Sequence, residues 1–425
     1  MFKTITKSFI FSFLLFSTSL FSMICDNRFF PFFPKPHTRI LEKPSRFSVD
    51  PFFTMAEGAY DQNESEVAIP ALFGKYDQRN LGTALDKVGL INPMPAPFMG
   101  SEYIWAIEQK IRSQGVALSF EHQAFRPVSL GFSWLLMHVN SRHLFCLESC
   151  RRLSLPGHIT ELEDARLQMH KNLGLCEAFS SRTGMGDFDC YIRVGDIWDY
   201  SLKFRRIDAG IRVGMILPSG KKQEINSPTT VPFGGNGHWG AYAMGDLELE
   251  LKEDLKAGFF LRLGKRFQQT RKMRLPVAGE HPLFGALVAP VCVSPGINFV
   301  FSSYLCMENL REGLGARIGL NLSLQERASW QDLRPQSEQD TLPVVFSKDR
   351  TSDDESEVDF HRLADLSGWK SDYISLNVFY DFGKVAANRG YKPILTFSWD
   401  IPYLLFTSER VVKTHRVSLG IEVNF

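Results

Sequence analysis

Val417-Ser418-Leu419-Gly420-Ile421-Glu422-Val423-Asn424-Phe425 is the stretch that decides the fold. Val417, Leu419, Ile421, Val423 and Phe425 are apolar, while Ser418, Gly420, Glu422 and Asn424 between them are small or polar. A strand repeats its side-chain direction every two residues, so this alternation gives one greasy face and one wet face. A soluble sandwich could also end on such a strand. The rest of the chain has to say what the greasy face meets.

Upstream, the same alternation recurs. Leu395, Phe397, Trp399 and Ile401 alternate with Thr396, Ser398 and Asp400, and Ile374, Leu376, Val378 and Tyr380 with Ser375, Asn377 and Asp381. Ile318, Leu320, Leu322 and Leu324 follow suit, as do Phe259, Leu261 and Leu263. Further back lie Trp239, Ala241, Ala243, Leu247, Leu249 and Leu251, then Ile207, Ala209, Ile211, Val213, Met215 and Leu217. Weaker candidates are 297–307, 187–198, 129–139, 115–123 and 46–56, which brings the total to about twelve. Several runs are longer than the five or six residues usual for globular strands. A strand crossing a bilayer needs about 9–11 residues.

The N-terminus points to export. Lys3 and Lys7 precede an apolar stretch, Phe9–Phe16, broken only by Ser12, and Ser17, Thr18, Ser19 and Ser22 follow. A basic start, an apolar core and a small-residue exit make residues 1–22 a secretory signal. Past it, no run of 18 or more apolar residues exists, so no spanning helix is expected. The mean hydropathy of −0.12 does not argue against a membrane, because a barrel strand shows lipid only every second side chain. With 48 Lys and Arg against 47 Asp and Glu, the chain lacks the basic excess of a nucleic-acid-binding protein.

With its signal peptide and its alternating last strand ending in Phe425, the chain resembles bacterial outer-membrane β-barrel proteins of the porin-like kind. The resemblance implies an all-β, antiparallel transmembrane β-barrel in the outer membrane, surrounded by lipid. It also implies that Val417, Leu419, Ile421, Val423 and Phe425 form the signal read by the barrel-assembly machinery. Barrels of this kind have short periplasmic turns and longer outer loops. The strand assignments yield short links at 383–390, 308–314, 252–255, 199–204 and 124–128, and links that are mostly long at 402–411, 326–371, 268–296, 218–237 and 140–186. About twelve strands are expected, within ten to sixteen, with a helical insertion or plug and long outer loops.

Residues 23–45, with Phe29-Phe30-Pro31-Phe32-Phe33-Pro34, read as an irregular leader, since closely spaced prolines suit neither helix nor strand interiors. The single barrel spans 46–425. Within it, 57–114 is too apolar for a solvated loop and is expected to pack as a plug-like segment against the barrel lumen or its outer mouth, with a helix from Ser101 through Ile104, Ile107 and Ile111. A second helix is expected inside 140–186, where Thr160 and Glu163 have the spacing of a capping box and Leu162, Ala165, Met169 and Leu173 share a face.

If the apolar alternates meet lipid, the polar ones line a lumen. Arg193, Arg206, Arg212, Arg262, Arg266 and Arg317, with Asp246, Glu248 and Asp400, are the expected pore-lining set. Opposed rows of acid and base in a water-filled pore would orient and sort solutes, whereas pairing among themselves would only stiffen the wall. Small solutes are therefore the expected cargo. Cys146, Cys150 and Cys176 fall in one outer loop, and outside the cytoplasm a bridge from Cys176 to one of the other two is expected. The seven cysteines are odd in number and leave a thiol for a neighbouring chain or a homo-oligomer. His122, His138, His238 and His415 form no triad pattern, and no His-Glu-x-x-His, Gly-x-Ser-x-Gly or phosphate loop occurs. No catalytic residue, metal or cofactor is therefore expected. The competing expectations are a surface protein that uses the barrel as an anchor and a lipid-acting barrel enzyme.

Overall fold

The computed structural model describes residues 27–30, 32–34, 44–99, 101–148, 156–176, 178–200, 204–341, 344–345, 358–385, 392–404 and 408–425. Twelve antiparallel strands close into a barrel. They are β1 Ser45–Tyr60, β2 Ile104–Phe125, β3 Val128–Leu147, β4 Phe188–Asp199, β5 Arg206–Leu217 and β6 Gly240–Lys252. The second half is β7 Leu255–Arg266, β8 Ile297–Arg311, β9 Leu314–Gln325, β10 Trp369–Asp381, β11 Lys392–Pro402 and β12 Val411–Asn424. Each strand pairs with the next, and β1 pairs with both β2 and β12, as in Phe52↔Gly115 and Phe52↔Ser418. Closure leaves no unpaired edge, and all spanning backbone groups can be satisfied without water. No described helix is long and apolar enough to cross a membrane.

The alternation that marks the strands also sorts their faces. Ile211 and Val213 are 63% and 60% exposed, and Leu419 and Ile421 are 53% and 52%. Leu261, Leu263, Ile318, Val378, Phe397 and Trp399 are likewise turned outward. So broad an apolar belt would be a liability in water and is what a lipid-facing barrel requires. Short links of two residues, 253–254 and 312–313, join strands at one end. Their reversals place Asp254 and Gly313 at positive φ. Links at the other end run from 403–410 up to 61–103 and 326–368.

The helix expected from Ser101 is not there. Residues 104–125 are one continuous strand, β2. The spacing of Ile104, Ile107 and Ile111 fits a helical face, but Trp105, Ile107, Gln109 and Ile111 also alternate, and it is these four that are buried. Pairing with β3 along its length, with Tyr76–Asp77 at its start and with β1 from Ile111 on overrides the local period. Here the polarity is reversed, with apolar residues inside and Glu108, Lys110 and Arg112 outside. This upper part of β2 supports a cap rather than facing lipid. The helix inside the next long link, α2, spans Pro156–Asn172 (α1, Gln78–Lys87, precedes it). Thr160 therefore lies inside α2 instead of capping it, and Pro156 occupies the first turn, where a missing N–H costs nothing. Leu162, Ala165, Met169 and Leu173 are all buried.

The long links build a cap with its own core. Leu81, Ala84 and Leu85 of α1 pack with Leu162 and Met169 of α2, with Phe284, and with Leu275, Val291 and Val293. The last three lie on a small sheet of Gln269–Leu275, Leu287–Ser294 and Ser329–Asp332. At an order of 2 kcal/mol for each fully buried large apolar side chain, this cluster can hold the cap in place.

Candidate functional site

The inward faces of β2 to β9 repeat one arrangement three times. Tyr191 on β4 lies opposite Gly131 on β3, Tyr242 on β6 opposite Gly214 on β5, and Tyr304 on β8 opposite Gly258 on β7. A Cβ at Gly131, Gly214 or Gly258 would lie 2.3–2.4 Å from the ring atoms, so each ring is laid flat over a glycine. The hydroxyls donate to carboxylates on the strand before that glycine. Tyr191 reaches Glu121 at 3.3 Å, Tyr242 reaches Asp189 at 3.0 Å and Tyr304 reaches Glu248 at 2.6 Å. From the strand after each tyrosine a guanidinium stacks on the ring: Arg212 on Tyr191 at 5.1 Å, Arg262 on Tyr242 at 4.3 Å and Arg317 on Tyr304 at 5.0 Å. The unit is acid, glycine, tyrosine, arginine on four successive strands. Stacking over a ring positions the cation without consuming its donors.

The tyrosines and arginines of these units, with Glu121 and Asp189, border a cavity of about 580 Å³ inside the barrel, which reaches the short-link rim at Lys384. Of the residues expected to line a pore, Arg206, Arg212, Arg262, Arg317 and Asp400 border it. Arg193, Asp246, Glu248 and Arg266 are drawn into the wall. Arg193, 1% exposed, donates to Asp208 at 2.7 Å and Asp246 at 2.6 Å. Asp246 also lies 3.4 Å from Arg212, and Arg266 pairs with Asp187 at 2.7 Å. Arg206 pairs with Asp199 and Asp400 with Arg416. Acid and base are thus interleaved along the wall, not set on opposite sides, and the opposed rows expected from the sequence do not form. Among the described residues no carboxylate pairs with Arg317; it is held by the Tyr304 ring, the Phe379 ring at 6.0 Å and the Cys306 thiol.

The leader, not the insertion, enters the lumen. Phe32 sits edge-on to Phe52 at 4.9 Å, beneath the Arg416 guanidinium at 4.8 Å. Phe33 meets Tyr373, and Phe30 is buried with Ile111, Leu135, Met137 and Val139. The backbone is tied in as well: Val412 N donates to the Arg28 carbonyl, Thr414 Oγ1 to that of Phe29, and the Asn27 amide to Pro232 and Gly234. Phe32, Phe33 and Pro34 therefore border the cavity, and none of the described residues of 61–103 does. That insertion closes the mouth from above through Ile69 and Leu72. It is a cap and not a plug, because its apolar residues find partners on α2 and the small sheet.

Within the cap, Tyr76 Oη and His170 Nε2 lie 2.8 Å apart, and Phe284 stacks on His170. His281 Nε2 donates to the Pro70 carbonyl at 2.9 Å while its Nδ1 accepts from Leu283 N, which suits a neutral ring. Burial, reinforced by nearby Arg166, lowers the His170 pKa to about 3, and burial lowers His281 to about 4.

No family model and no curated protein sequence matches the chain. Among solved structures, a crystallised outer membrane channel from Pseudomonas putida F1 aligns over 93% of this chain and 100% of its own, at 10% identity and a TM-score of 0.50. The fold is that of an outer-membrane β-barrel. The translocator domain of the autotransporter NalP from Neisseria meningitidis covers 92% of this chain and 90% of its own, at 8% identity and a TM-score of 0.33. A FadL homologue from Pseudomonas aeruginosa covers 90% of each, at 8% identity and a TM-score of 0.30.

On β12, Val417, Leu419, Ile421 and Phe425 face outward and Val423 is half-buried. Cys146 and Cys176 are free, exposed thiols, so no bridge joins them. Helix α2 intervenes in the chain, and Cys176 is anchored elsewhere through its N–H to the Asn226 carbonyl. Cys150 lies outside the described residues, as do 1–26 and 35–43. The tyrosines of the lumen escaped the sequence reading, yet a signal for them exists. Arg193-Val194-Gly195, Arg212-Val213-Gly214, Arg262-Leu263-Gly264 and Arg317-Ile318-Gly319 repeat one tripeptide on four strands. In three of these, the glycine faces the tyrosine on which its arginine stacks.

Proposed function

We propose that this chain is a porin-like channel of the outer membrane for passive passage of small hydrophilic solutes. The observation that carries the reading is the lumen itself: a charged cavity of about 580 Å³ inside a barrel whose outer face is apolar. A structure that needed only an anchor could fill so narrow a lumen with side chains. In the reading, residues 1–22 direct export, the apolar row of β12 directs assembly, and the short-link end faces the periplasm. Passage requires that residues 27–34 leave the lumen or shift aside, since Phe30 and Phe32 close its upper half. The protein works as a path and not as a catalyst.

Reconstitution in planar bilayers tests this. The intact protein should give small or rare conductance steps, and a variant lacking residues 27–34 should give larger and more frequent ones. A second reading, a surface protein anchored by its barrel, is favoured by the cap that covers the mouth. Absence of conductance from the folded variant without 27–34 would transfer the assignment to that reading.

A further inference from the structure

The three acid–glycine–tyrosine–arginine units are not spread at random along the lumen. Tyr191, Gly214, Tyr242 and Gly264 face one another in register across β4 to β7, so the first two units are level. Gly264 is opposite Asn298, which precedes Tyr304 by six residues on β8. At about 3.3 Å per residue the third unit is displaced by roughly 20 Å along the strands toward the short-link end. Stacked guanidiniums therefore occur at two depths of one cavity.

The charges on this wall are unequal in availability. Each carboxylate of a unit is already capped by a tyrosine hydroxyl. Elsewhere on the cavity wall, Glu308 is held by Lys256 and Lys384, Asp400 by Arg416 and Glu422 by Arg46. Arg317 has no carboxylate partner, and its Nε is buried without a hydrogen bond. Arg212, stacked on Tyr191, already has Asp246 3.4 Å from its Nε. A planar cation clamped by a ring, half-buried on the cavity wall and with no carboxylate partner among the described residues, presents a fork that matches a carboxylate.

We infer that the β4–β9 wall is a binding track for small organic carboxylates, with Arg317 as its main station. The inference rests on the lumen being the solute path proposed above, and it names the solute class of that path. Rings beside each cation also give the apolar part of such a solute a surface to lie on. Glu121 and Asp189 are held by tyrosine hydroxyls, and Glu308, Asp400 and Glu422 by cations of the protein.

Isothermal titration of the intact, detergent-purified protein with benzoate, and separately with choline, tests the inference without needing an open pore. Benzoate should bind and choline should not. Arg317→Gln should weaken benzoate binding at least tenfold, provided the barrel still shows heat-modifiable mobility. If that variant does not fold, Arg317→Lys keeps the charge but loses the flat fork, and should bind several-fold more weakly. Equal binding of choline, or unchanged benzoate affinity in the folded Arg317 variant, would overturn the track. Benzoate binding that is sensitive to Arg317, in a protein that never conducts, would support the track while removing the channel. Conductance with benzoate affinity indifferent to Arg317 would do the reverse.

Discussion

Replacing Asp187 by alanine should release one outer link without opening the barrel. Asp187 is 0% exposed and sits in the break where β4 meets Phe179–Met185, the segment that continues its pairing with β3. Its carboxylate accepts from Arg266 Nη1 at 2.7 Å, from Gly220 N at 3.0 Å and from Gly235 N at 2.6 Å. A Cβ at Gly234 would lie 2.3 Å from its Cγ, so the backbone of that link is packed directly on the carboxylate. Breaking a buried ion pair by removing one partner costs about 3–5 kcal/mol, and each abandoned buried N–H adds about 1 kcal/mol. The terms overlap, and a net of about 4 kcal/mol is expected, close to a thousandfold in a local equilibrium. The assay is amide exchange in detergent: 218–239 should exchange far faster in Asp187→Ala while β6 and β7 remain protected. The double variant Asp187→Leu with Arg266→Met removes both charges and should regain most of the protection. Exchange of 218–239 within threefold of the parent, or a double variant no better than the single one, would refute the reasoning.

The buried His281 makes the cap acid-sensitive. Its ring stays neutral in the fold until about pH 4, whereas the unfolded chain protonates near 6.5. Stability is therefore lost as pH falls through that window, by about 2 kcal/mol at pH 5, and exchange of 275–286 should rise roughly thirtyfold between pH 7 and 5 after correction for intrinsic rates. A flat profile would contradict the neutral-ring assignment. Gly214→Val should lower barrel stability by about 3 kcal/mol, because its Cβ would meet Tyr242 at 2.4 Å, while Gly245→Ala, with nothing within 4 Å, should be neutral in the same urea titration. Phe425→Ala should reduce the amount of barrel assembled in the outer membrane with export unchanged, and equal surface levels would remove the role proposed for the β12 row.

The barrel was legible because period-2 alternation and link lengths are local properties of the sequence, and β12 displays both. The stretch 101–111 misled because Ile104, Ile107 and Ile111 stand at helical spacing, whereas only Ile107 and Ile111 keep the two-residue period with Trp105 and Gln109. Only pairing with β3 and with Tyr76–Asp77, which is not local, selects the strand. The same limit explains the leader. Phe30 and Phe32 can be read as irregular, but their place in the lumen depends on Phe52, Ile111 and Met137, all distant in sequence. The inward arginines were found by alternation, yet alternation cannot say which carboxylate each one meets. Arg193 and Arg266 are spent on the wall for that reason, while Arg262 and Arg317 border the cavity.

The measurement that bears most directly on the account is single-channel recording of the intact protein beside a variant lacking residues 27–34, both confirmed as folded by heat-modifiable mobility. The account predicts rare, small steps from the first and frequent, larger steps from the second. Silence from both folded proteins would contradict it.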